Sequence, residues 1–252
     1  MARYQVILAY DGTQFKGFQR QAHAPTVQGC VEEALRSLGW RGKSILAAGR
    51  TDTGVHAVGQ VIAFDLEWRH STQELQSALN ALLPPSIAAR QVRQTVDDFH
   101  PRYQAISRRY HYRIFCLPCR HPLRERFAWR VWPAVELDAL RQLSACLPGK
   151  HDFSAFGTPA KDGGGTRRTI SHADWRLARD ALDVPDLIFE IVADAFLYRM
   201  VRRLVYLQVA IAQGKLPSGY LEELLQASPR KPVQGLAPPQ GLTLVEVVYP
   251  AV

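Results

Sequence analysis

The sequence predicts an α+β protein: two ferredoxin-like halves, each running β-α-β-β-α-β with a mainly antiparallel sheet, lying side by side. Two observations carry this. Segments rich in β-formers alternate with capped, 3.6-periodic segments in one order over residues 1–103, and a similar order recurs over 104–252. These ranges are the expected domains, and 252 residues suffice for two of modest size.

In the first half, Arg3 to Tyr10 reads as a strand and Asp11-Gly12-Thr13 as a turn. Thr26 caps a helix whose apolar face is Val27, Cys30, Ala34, Leu35 and Leu38, closed by Gly39. Lys43 to Ala48 and Gly59 to Leu66 follow as strands. Ser71 to Glu74 forms a capping box ahead of Leu75, Ala78, Leu79 and Leu82, and Pro84-Pro85 stops that helix before a strand from Ile87 to Val96.

In the second half, Ile106 to Cys116 is a strand, and leucines 137, 140, 143 and 147 mark a helix ended by Pro148-Gly149. Strands Thr169 to Ala178 and Leu187 to Ala193 flank a turn near Asp183 to Asp186. A long helix from Phe196 to Gln213, a short one from Tyr220 to Gln226 and a strand from Leu242 to Tyr249 complete the order. Gly163-Gly164-Gly165 lies in a polar loop; no Gly-Lys-Ser/Thr follows, so it is not a phosphate-binding loop.

Composition narrows the function. No apolar stretch is long enough to span a bilayer, and the first residues lack a signal-peptide layout, so a cytoplasmic, membrane-free protein is expected. Cys116 and Cys119, with His121, Cys146 and His151, match no familiar zinc spacing; no metal is expected. The net charge is +8, and lysine occurs only at positions 16, 43, 150, 161, 215 and 231, so arginine supplies most of the cations. Guanidinium groups suit phosphate oxygens and stack on bases, which points to a nucleic-acid partner; a soluble protein from an arginine-preferring genome fits the charge equally well.

Three segments could carry chemistry. In Gly49-Arg50-Thr51-Asp52-Thr53-Gly54-Val55-His56, an extended loop would point Arg50 and Asp52 the same way, favouring the ionised carboxylate as nucleophile, base or electrostatic stabiliser. A structural ion pair fits this segment as well. Asp52-Thr53-Gly54 also matches the aspartic-protease triplet, but a second copy is absent and a neighbouring arginine opposes a shared-proton dyad. In Ser107 to Arg113, alternation puts Tyr110 and Tyr112 on one face and Arg109, His111 and Arg113 on the other, a base-stacking and phosphate-contacting combination in which Tyr112 reads as core. In Phe196 to Arg203, Phe196, Met200 and Leu204 form a buried stripe, with Arg199, Arg202 and Arg203 largely off it.

Taken together, these segments resemble the tRNA pseudouridine synthase A family over nearly the whole chain. The resemblance rests on Tyr10-Asp11-Gly12-Thr13 with Phe15 to Gln21, on Gly49 to Ala57 followed by Gly59-Gln60-Val61, and on Leu79-Asn80 with Leu83-Pro84. It continues through Asp98-Phe99-His100 with Arg102, Arg108 to Tyr112, Arg167 to Ile170, and Ala195 to Arg202. It implies an isomerase that converts uridines at positions 38 to 40 of the tRNA anticodon arm to pseudouridine in a cleft between the halves. By resemblance Asp52 is the nucleophile, Arg50 its companion, Tyr110 the residue stacking on the target base, and Arg202 a cation pairing with the aspartate. It also implies a homodimer with tRNA across it and no metal or organic cofactor. Asp194 departs from the family's usual Asn-Ala-Phe, and its carboxylate could compete for Arg202. A non-catalytic RNA-binding protein is the competing reading.

Overall fold

The computed structural model describes residues 1–159, 164–179, 185–226 and 232–250. Its main elements in chain order are β1 (Ala2–Tyr10), α1 (Val27–Ser37), β2 (Leu46–Ala47), β3 (His56–Leu66), α2 (Thr72–Leu82), β4 (Ile87–Thr95) and β5 (Ser107–Cys116). Then follow α3 (Pro122–Glu125), β6 (Trp129–Val131), α4 (Leu137–Ser144), β7 (Gly149–Asp152), β8 (Arg167–Ala178), β9 (Asp186–Ala193), α5 (Met200–Ala212), α6 (Tyr220–Gln226) and β10 (Leu242–Val248). The fold is mixed α+β with mostly antiparallel pairing. The chain divides into one compact unit of Met1–Ile106 with Thr243–Val252 and another of Ser107–Leu242.

In the first unit β1 lies between β4 and β3, antiparallel to both, and β2 pairs antiparallel with β3. β10 adds to β3 in parallel, Thr243 opposite His56 and Leu244 opposite Ala57. Both helices begin as their caps dictate. Thr26 Oγ1 accepts the Gly29 N–H, and Ser71 and Glu74 form the reciprocal box. Val6, Leu8, Ile62, Leu35, Leu75 and Leu79 are all buried, forming the core that α1 and α2 share with the sheet. Burying each such side chain is worth about 1.5–3 kcal/mol.

In the second unit the antiparallel order is β5-β9-β8-β7, with β6 parallel to β5. Tyr112 stands opposite Phe189, and Phe189 opposite Trp175, so one face of the sheet carries a buried aromatic row. Trp175 donates its indole N–H to Gln208 Oε1 of α5 at 2.8 Å, so neither group is left unsatisfied in the core.

Several expected boundaries move. The strand foreseen at Lys43 to Ala48 shrinks to β2, and the one from Gly59 starts earlier, at His56. α3, β6 and β7 are short additions that periodicity does not register. The helix expected from Phe196 starts at Met200, because Arg199 adopts φ 63 and breaks the run. Gly163 and the turn at Asp183-Val184 fall outside the described residues.

Candidate functional site

The Asp52 loop is fixed to the sheet of the first unit through the residues around it. Tyr10 ends β1, and its hydroxyl lies 2.9 Å from Thr51 Oγ1. Gln60 of β3 donates from Nε2 to the Gly49 carbonyl at 2.9 Å and approaches the Tyr10 oxygen at 3.5 Å. Tyr10, Thr51 and Gln60 are all buried. Burial pushes the Tyr10 hydroxyl up to about 12, so it keeps its proton and cannot serve as a base near neutrality.

A second strap runs along residues 11–18. Phe18 N–H donates to the Thr51 carbonyl at 3.1 Å, and Gly54 N–H donates to the Phe15 carbonyl at 3.3 Å. Two glycines make the approach possible. A Cβ on Gly12 would sit 2.0 Å from the Val55 carbonyl oxygen, and Gly17, at φ +95, would bring one to 2.9 Å from the Thr51 oxygen. His56 Nδ1 accepts the Gly12 N–H at 3.0 Å while lying 3.2 Å from Asp11 Oδ1. The Asp11 oxygen also takes both donors of Thr13.

A turn follows Asp52: Val55 N–H closes onto the Asp52 carbonyl at 3.1 Å, and Gly54 takes φ 76. The Arg50 side chain is exposed and makes no hydrogen bond or ion pair among the described residues, whereas Asp52 is half-buried. The Arg50–Asp52 pairing expected of an extended loop is not formed.

Tyr110 and Arg202 belong to the second unit. Tyr110 is half-buried on β5, with its ring edge-to-face against Phe196 at 5.0 Å and 83°. Tyr112, two residues on, is core as expected; its hydroxyl donates to the Pro238 carbonyl at 2.6 Å. Burial holds that hydroxyl well above its ordinary value, against the opposing pull of the Arg202 charge. Arg202 lies on α5 but is buried, not on a solvated face. Its Nε donates to the Ala237 carbonyl at 2.8 Å, and Ala237 N–H returns to the Arg202 carbonyl at 3.2 Å.

The concern over Asp194 resolves locally. One carboxylate oxygen accepts the N–H groups of Ala195 at 2.6 Å and Thr169 at 3.2 Å, so its role is that of a backbone acceptor. An asparagine oxygen could fill the same role, and Asp194 forms no ion pair among the described residues.

The basic face of β5 differs from its sequence reading. Glu190, opposite His111, takes Arg109 Nη1 at 2.5 Å and His111 Nε2 at 2.7 Å, while Arg113 lies 3.9 Å from Asp186. Burial lowers the His111 pKa despite Glu190, so the neutral ring donates Nε2–H. Burial alone would raise the Glu190 pKa, but the His111 hydrogen bond and the Arg109 charge outweigh it and lower it. Arg109 and Arg113 are thus engaged by carboxylates of their own sheet. Sequence reasoning missed the Glu190 cluster and the Tyr10–Thr51–Gln60 group. In each case the signal was a polar residue, Glu190 or Gln60, inside an apolar strand run. Among the described residues no three His, Cys, Asp or Glu side chains gather as metal ligands, and no helix is long and apolar enough to cross a membrane.

A family model described as tRNA pseudouridine synthase matches residues 6–104 and 144–250. Proteins called tRNA pseudouridine synthase A are similar along nearly the entire chain. That of Paraburkholderia phymatum is 36% identical over 250 residues, covering 99% of this chain and 92% of its own. Those of Myxococcus xanthus and Lactiplantibacillus plantarum are each 36% identical, covering 99% and 98% of this chain and 92% and 94% of theirs. The Asp52 loop and Arg202 fall within the segments the family model matches and Tyr110 lies between them, and the chain belongs to the tRNA pseudouridine synthase family of isomerases.

Proposed function

We propose that this tRNA pseudouridine synthase acts on uridines 38 to 40 of the anticodon stem-loop, with Asp52 as its nucleophile. The observation that carries the reading is the anchoring of the Asp52 loop: Gly49, Thr51, Asp52 and Gly54 all spend backbone groups or a side chain on fixed partners, so the carboxylate is held by its surroundings and not by a flexible stem.

Forming pseudouridine breaks the N1–C1′ bond, rotates the base, joins C5 to C1′, releases the C5 proton and leaves N1 protonated, with no net oxidation or reduction. A fixed carboxylate can attack the sugar carbon or the pyrimidine ring, or remove the 2′ proton. The uridine must first leave its stack, at a cost of a few kcal/mol. Tyr110, oriented by Phe196, offers a stacking face worth about 1–3 kcal/mol. Exposed Arg50 is available to a phosphate or to the extruded nucleotide, and Arg202, held by Ala237, supplies a fixed cation. The reading requires all four residues to act on one nucleotide within a homodimer of ferredoxin-like halves in the cytoplasm, with no resident cofactor.

The test is to incubate purified protein with unmodified tRNA transcripts and to map new pseudouridines by carbodiimide labelling and primer extension. Modification confined to positions 38 to 40 is expected. Products elsewhere in the tRNA would overturn the assignment of position.

A further inference from the structure

We propose that Tyr10 is a positioning residue for this reaction: its hydroxyl, acting through Thr51 and beside Gln60, fixes the pose from which Asp52 works. The inference rests on the catalytic reading of Asp52.

The network joins two strands to one loop. Gln60 gives its Nε2 to the Gly49 carbonyl, so the amide group, not the carbonyl, faces Tyr10. The Tyr10 hydroxyl accepts from that side and shares a 2.9 Å hydrogen bond with Thr51 Oγ1, in which either hydroxyl can donate. Gly49 and Thr51 bracket Arg50, and Thr51 immediately precedes Asp52. Their two holders sit on strands that pair with each other, Leu8 opposite Gln60 and Tyr10 opposite Ala57. A shift in the loop must therefore break a buried hydrogen bond to a rigid sheet. Tyr10 is 4% exposed, which keeps it from touching the nucleotide, and its retained proton excludes it as a general base. Its ring already packs beside Phe18, so phenylalanine would satisfy the core equally well. The hydroxyl is what packing does not explain.

The experiment measures release of label from 5-tritiated uridine in tRNA by wild type, Tyr10→Phe, Thr51→Val and the double variant, with melting temperatures alongside. Tyr10→Phe is expected to lower kcat about tenfold, because a small misplacement of a reacting group is costly, with KM within about twofold and the pH profile unmoved. The double variant should lose no more than the worse single one, since both delete one hydrogen bond. Val6→Ala, in the core beside the same strand, should lower the melting temperature and leave kcat intact. An unchanged kcat in Tyr10→Phe, a loss in KM alone, losses that multiply in the double variant, or a Val6→Ala kcat falling in step with its stability would each overturn the proposal. Should Tyr10→Phe fail to fold, kcat of Thr51→Val decides. Full activity in Asp52→Asn would instead bring down the reading of the site and this inference with it; loss in Asp52→Asn with wild-type kcat in Tyr10→Phe removes this inference alone.

Discussion

The Asp52 loop and the polar face of β5 and β9 look alike in sequence, since each sets arginine and histidine beside an acid. They differ in what fixes them. Around Asp52 the scaffold acts on the loop itself: the Thr51 hydroxyl is bonded to Tyr10, carbonyls and amides of residues 49 to 54 to Gln60 and the 11–18 segment, and Arg50 projects to solvent. On the sheet face the side chains act on one another, Glu190 joining Arg109 and His111. The first arrangement places charge toward something else. The second consumes charge in holding the protein together.

The most severe way to probe that contrast is Asp52→Asn, which keeps shape and removes the charge. It should lower kcat at least about a thousandfold, with tRNA affinity within about threefold because phosphate contacts dominate binding. Measuring single-turnover rate and filter-binding Kd together separates the two. Next in size is Tyr110→Leu, expected to cost about 1–3 kcal/mol in kcat/KM, while Tyr110→Phe keeps most of the activity. Equal losses would show that the hydroxyl, not the ring face, is what matters.

Glu190→Gln should behave oppositely, with little effect on kcat and a stability cost of about 1–2 kcal/mol at pH 7. Glu190 is depressed below its ordinary 4.5 in the folded state, so its contribution is complete above that value and is lost as pH falls through the folded pKa. The gap between variant and wild type in denaturant melts should therefore close in the acid range; a gap that persists there would remove the carboxylate as its source. Smallest is Asp194→Asn, expected within about 0.5 kcal/mol in stability and about twofold in kcat, since the backbone needs only an acceptor there. A large loss of activity would restore a role for its charge.

These contrasts mark how far the sequence could be read. Helix starts at Thr26 and Ser71 were legible because caps act over three residues. The Asp52 loop was legible as a place, since glycines, an acid and an arginine crowd together in it. Its geometry was not. The turn that follows Asp52 is held by Phe15, brought close only by the folded chain. The Glu190 cluster was hidden similarly, because its register pairing joins residues distant in sequence. Arg199 took the first turn away from the long helix by adopting a left-handed backbone that periodicity does not encode.

β10 returns from the far end of the sequence to lie along β3 at His56 and Ala57, directly after the Asp52 loop. In folding terms this is a contact of very high sequence separation placed beside the proposed nucleophile. A chain emerging from the ribosome can form β1, α1 and the rest of the first unit early, yet the strand carrying the loop lacks this neighbour until residues 243 and 244 are made. The unit begun first is completed last, which links competence for catalysis to synthesis of almost the whole polypeptide.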